Sequence, residues 1–118
     1  MTTPKTPSPV LRALHEARGL IADHQQWTTG VLARTSIGEV CDPWDASASC
    51  WCLEGALRRA DSYGAFIIAR GELAATILAA TITGQPMTFA INPVARYNDE
   101  AGHGAVLDLI DRTIERRT

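Results

Sequence analysis

The sequence predicts a mainly α fold with a small β component: about four helices with a short β-hairpin or extended loop, in one compact domain. Three observations predict it. A length of 118 residues suits one core and is too short for two. Apolar residues recur with 3,4 spacing in three stretches. Between the first two of these lies a run with β-branched residues and two glycines, Trp27 to Val40, which lacks helical period.

The elements follow in order. Met1 to Pro7 (M-T-T-P-K-T-P) has no apolar period, so residues 1–8 are expected to form a flexible arm before a globular domain at 9–118. Ser8 can cap free backbone N–H groups and Pro9 has its φ preset for a first helical position. Val10, Leu14, Ala17 and Ile21 then line one face of a helix over 9–24, which places His15 at the stripe's edge and His24 at the C-terminal end. A hairpin or loop is expected at about 28–41, with Ser36-Ile37-Gly38 as its turn. Asp42-Pro43 reads as a further turn.

A second helix is expected over 49–60, with Ser47 or Ser49 as cap, Cys50, Leu53 and Leu57 on its core face, and Arg58-Arg59 at its negative end. A third, at 72–83, is apolar nearly all round, which suits a central helix or a subunit contact. Met87 to Ile91 has a short strand period. The last helix is expected over 102–116, capped by Asn98 or Asp99, with Val106, Leu109, Ile110 and Ile114 inward.

Composition excludes several function classes. Eleven basic and 13 acidic residues give a net charge of −2, so no broad nucleic-acid surface is expected. The longest apolar run, 65–84, is interrupted by Arg70, Gly71 and Glu72, which argues against a membrane span. Three cysteines, an odd number, and no signal-like opening point to free thiols in a reducing cytoplasm.

Chemistry concentrates between Cys50 and Arg59. A thiol at a helix N-terminus is biased toward thiolate, so Cys52 is a candidate nucleophile, with His103 as base and Asn98 or Asp99 orienting it. Against this, a buried cysteine also serves as a small hydrophobe, and His103 sits between two glycines. Metal ligation is not expected, because C-x-C within a helix turns its two sulfurs about 200° apart. No cofactor motif is present. Trp27, Trp51, Arg58 and Arg59 are the candidate binding residues: the indoles could line a cleft and the arginines could meet an anionic partner, although covering a small core and closing a helix end are their plainer roles.

The motifs Trp27-x-x-Gly30, Cys52-Leu53-x-Gly55-Ala56-Leu57 and Asn98-Asp99-Glu100 resemble those of a family of short bacterial and phage proteins catalogued as a domain of unknown function. The resemblance implies no activity, and it singles out Cys52, Gly55, Ala56 and Leu57 rather than Cys50. The expected function is a small cytoplasmic protein that binds a protein partner or a small ligand, with possible homo-oligomerisation through 72–83. The rival is a thiol-dependent hydrolase or transferase using Cys52.

Overall fold

A computed structural model of the chain describes residues 8–60, 64–81 and 93–118. Among them are five α-helices: α1 (Pro9–Leu20), α2 (Leu53–Ala60), α3 (Ala65–Thr81), α4 (Pro93–Ala101) and α5 (His103–Arg117), with two short strands, β1 (Ala33–Thr35) and β2 (Ala48–Trp51). The mainly α class with a small β component is what the periodicity predicts. The expected arm falls largely outside the described residues, as do the expected strand at 87–91 and the last two positions of the expected helix at 72–83.

Helix α1 begins as its sequence dictates. The Ser8 hydroxyl accepts the Leu11 N–H, and Pro9 opens the first turn. Val10, Ala13, Leu14 and Ala17 are buried on the face that meets α2, α3 and α5. It stops at Leu20 instead of His24. Asp23 adopts extended backbone and its carboxylate accepts the Gln25 N–H, capping a separate 3-10 turn at His24–Gln26.

The β element departs most from expectation. The turn at Thr35–Gly38 forms, with Gly38 at φ 86° and its N–H on Thr35 O, but β1 takes its main partner from further along the chain. Ala33 faces Trp51 and Arg34 faces Cys50 in an antiparallel ladder with β2. Cys50 therefore lies on a strand, and the helix expected from residue 49 starts only at Leu53. Ser47, expected as a helix cap, instead binds Asp45 Oδ1 through its N–H and its hydroxyl. An Asx-type turn is its local alternative, and the Trp51 indole N–H on Pro43 O at 2.8 Å ties the strand that follows to the turn.

Helix α3 starts at Ala65, seven residues before the expected position, and takes Arg70, Gly71 and Glu72 into its length. Arg70 is held on α2 by Glu54 at 2.9 Å, and Glu72 on α5 by Arg117 at 2.9 Å. No helix among the described residues is long and apolar enough to cross a membrane. Asn98 and Asp99, expected to cap the last helix, lie inside α4. The cap of α5 is Gly102, whose φ of 92° lets the chain turn sharply between the two helices.

Candidate functional site

The three motif segments, far apart in sequence, meet at Asn98. Its face of α4, shared with Val94, points inward, and the side chain is fully buried. Asn98 Oδ1 accepts the Trp27 indole N–H at 2.7 Å and the Leu53 backbone N–H at 2.9 Å. Asn98 Nδ2 donates to Thr28 O at 3.0 Å and to Asp99 Oδ1 at 3.1 Å. Both lone pairs and both amide protons are spent, so this buried amide is fully satisfied. Asp99 Oδ1 also accepts the Gly30 N–H at 3.0 Å, where Gly30 has φ 79°. The pair Asn98-Asp99 thus holds the 27–30 segment to α4 and the start of α2.

Cys52 stands just before α2. Its carbonyl accepts the Ala56 N–H and its sulfur accepts the Gly55 N–H at 3.3 Å, so the thiol occupies the place of a capping hydroxyl. Together with Asn98 on Leu53 N–H, it satisfies the helix start. The thiol is 4% exposed, and burial pushes its pKa up to about 11, against the smaller opposing pull of the Gly55 and Glu54 N–H groups. Helix-end donors favour thiolate, but desolvation outweighs them here.

His103, the expected base, is occupied elsewhere. Its Nε2 lies 2.6 Å from Ile21 O, and a carbonyl can only accept, so Nε2 carries the proton in this contact. Its ring packs edge-on against His24 at 5.1 Å and against Trp27 at 5.4 Å between centroids. No hydrogen bond joins Cys52 to His103 among the described residues. The residues expected as nucleophile, base and orienting group, Cys52, His103, Asn98 and Asp99, each make other contacts in this structure. The sulfur is protonated near neutral pH, the imidazole serves a backbone carbonyl, and the amide and carboxylate hold backbone. Cys41 and Cys50 are half-buried free thiols, and no group of three or more metal-ligating side chains occurs among the described residues. Cys41 has its pKa raised, first by desolvation and then by Asp45 and Asp42.

The four expected binding residues divide. Trp27 belongs to the Asn98 network. Trp51 is 6% exposed, yet its edge lines an open cleft of about 500 Å³ with Glu16, Gly19, Leu20, Gln26 and Arg59. Arg59 covers the Trp51 ring at 5.7 Å and donates to Pro43 O and Asp45 O, so its charge is largely used in closing the 43–45 turn. Arg58 lies over Phe66 at 5.1 Å and 3.5 Å from Glu54, joining α2 to α3. Nothing in sequence spacing pointed to the exposed aliphatic residues of α3, Ile67, Ile68 and Leu78, as a surface distinct from its core side; a helix apolar all round gives no phase.

The model of a family of unknown function, DUF6197, matches residues 5–116. No curated protein and no solved structure matches the chain.

Proposed function

We propose that the chain, which belongs to this family of unknown function, is a small cytoplasmic binding protein that acts through protein contact, with the outer side of α3 as its docking face. One observation carries the reading. Ile67, Ile68 and Leu78 are 57%, 56% and 51% exposed on a single helix. Ile67, Gly71, Ala75 and Leu78 fall at i, i+4, i+8 and i+11, so they form one stripe about 17 Å long. Its centre is small and its ends are bulky. Large aliphatic side chains left together in water mark a surface that is covered in use.

A second copy of the chain is the occupant tested first, because in an antiparallel two-fold pair Ile67 of each copy would meet Leu78 of the other, a reciprocal apolar contact at both ends of the stripe. Three free thiols support a reducing compartment. Sedimentation velocity over a wide concentration range should show reversible dimerisation, abolished in Ile67→Lys/Leu78→Lys. A wild-type chain that stays monomeric at the highest concentration would defeat self-association. The rival thiol chemistry is tested alongside: iodoacetamide should label Cys41 and Cys50 well before Cys52 near neutral pH, and preferential labelling of Cys52 would restore the enzyme reading.

A further inference from the structure

A second site lies on the seam between α3 and α5, away from the Asn98 network. An open cleft of about 430 Å³ is lined by Thr76 and Ala79 from α3 and by Arg112, Glu115 and Arg116 from α5. Arg112 and Arg116 are one helical turn apart, so both guanidiniums rise on the same side of the cleft. Neither has its donors fully used. Arg112 Nε lies 3.2 Å from Asp108 Oδ2, but this enclosed nitrogen makes no hydrogen bond among the described residues, so the pair is Coulombic only. Arg116 has no carboxylate within ion-pair reach among those residues. Its one polar contact is Thr76 Oγ1, at a long 3.4 Å.

The floor beneath is buried and hydrogen-bonded. Thr76 is 4% exposed, its hydroxyl donates to Glu72 O, and its oxygen accepts the Thr113 hydroxyl at 2.8 Å. Its proton is therefore spent, and what it offers Arg116 is a lone pair that positions the guanidinium. The cleft presents the two guanidiniums with donors to spare, and Glu115 is the one carboxylate among its lining residues.

We infer that this cleft binds the phosphate group of a small phosphate monoester. A carboxylate has two oxygens and is satisfied by one guanidinium fork, whereas a phosphate has oxygens enough for two forks at once. The cleft is larger than a phosphate alone, which leaves room for the organic part. Glu115, also in the lining, opposes the dianion and can accept from hydroxyls, which favours a phosphorylated polyol over a bare ion. The site does not depend on self-association, since the monomer holds all of it.

The test is an Arg Nε–Hε NMR titration of the full chain with glycerol 3-phosphate, inorganic phosphate and acetate at matched ionic strength. Glycerol 3-phosphate should give saturable shifts at Arg112 and Arg116, inorganic phosphate weaker saturable shifts, and acetate none that saturate. Arg116→Gln, at an exposed position, should weaken binding about tenfold or more, and Glu115→Gln should tighten inorganic phosphate. Linear shifts with all three probes, equal binding of acetate, or an affinity unchanged in Arg116→Gln would overturn the site. A thermal melt of each variant matching the wild type separates lost binding from lost fold.

Discussion

Asn98 answers for four hydrogen bonds from a site without solvent access, and the consequences of changing it follow from the donor and acceptor count. Asn98→Ala orphans the Trp27 indole N–H, the Leu53 N–H and Thr28 O together, and should cost about 3 kcal/mol or more in urea denaturation, since each buried group left unpaired costs about 1–3 kcal/mol. Asn98→Asp keeps the acceptor but loses both donors and sets a second carboxylate against Asp99. It should be at least as damaging near neutral pH and should recover in part on acidification. Equal stability of wild type and Asn98→Asp at pH 7 would show that the amide's donors contribute nothing. The residues of this network were visible in the sequence, whereas their wiring was not. Asn98 reaches Trp27 and Leu53 across 71 and 45 positions, and no local periodicity encodes a bond of that span. Cys52 gives a second prediction. Its folded pKa of about 11 lies above the ordinary 9.0. The neutral thiol is thus favoured by folding; its contribution is intact below pH 9 and is lost as pH rises toward 11, when the unfolded chain ionises first. Wild type should lose up to about 3 kcal/mol more than Cys52→Ser between pH 8 and 11.

At the scale of elements, α2 is fixed more by what surrounds it than by its own eight residues. Its first N–H groups are met by Asn98 and Cys52, and its first turn passes so close to the 30–32 segment that a Cβ at Gly55 would collide with Leu32 O. In the helix interior an alanine is intrinsically the better residue. Gly55→Ala should nonetheless destabilise the chain by about 2 kcal/mol or more, because backbone must move to admit the methyl; a stabilised variant would refute the close approach. Glu54, 5% exposed, joins α2 to α3 through Arg70 and pairs with Arg58 one turn along α2 itself. These relations explain why β2 was read as helix. Cys50, Leu53 and Leu57 do have helical spacing, but the extended pairing of Arg34 with Cys50 and the buried Trp51 on Pro43 O compete for the same residues. By contrast, the start of α1 was legible because Ser8-Pro9 acts within four residues. The N-terminal turns of α3 were not legible, because charged Arg70 and Glu72 interrupt the apolar run, and only their partners on α2 and α5 show them to be side-wall ion pairs.

For the whole molecule, the question is whether the extended segments that carry half-buried Trp27 and buried Trp51 are a separate layer or part of one cooperative unit. Helix α1 packs on α2, α3 and α5, and Leu14 at its centre has no exposed surface. Trp27 and Trp51, on the other hand, sit in the extended segments and reach the helices through Asn98, the Trp51 ladder and the core around Leu53 and Leu57. If those ties transmit stability, loss of helix and loss of tryptophan environment must coincide. Leu14→Ala removes a packed side chain from the centre where α1 meets α2, α3 and α5, and should cost about 2–5 kcal/mol. Its urea midpoint should fall equally by far-ultraviolet circular dichroism and by tryptophan fluorescence. In Asn98→Ala the two probes should still coincide if the ladder and core suffice to couple the layers; a fluorescence transition that precedes the loss of helix in that variant alone would make Asn98 the joint on which single-unit folding depends. Separate transitions already present in the wild type would instead mean that the extended segments form an independently melting layer resting on the helices.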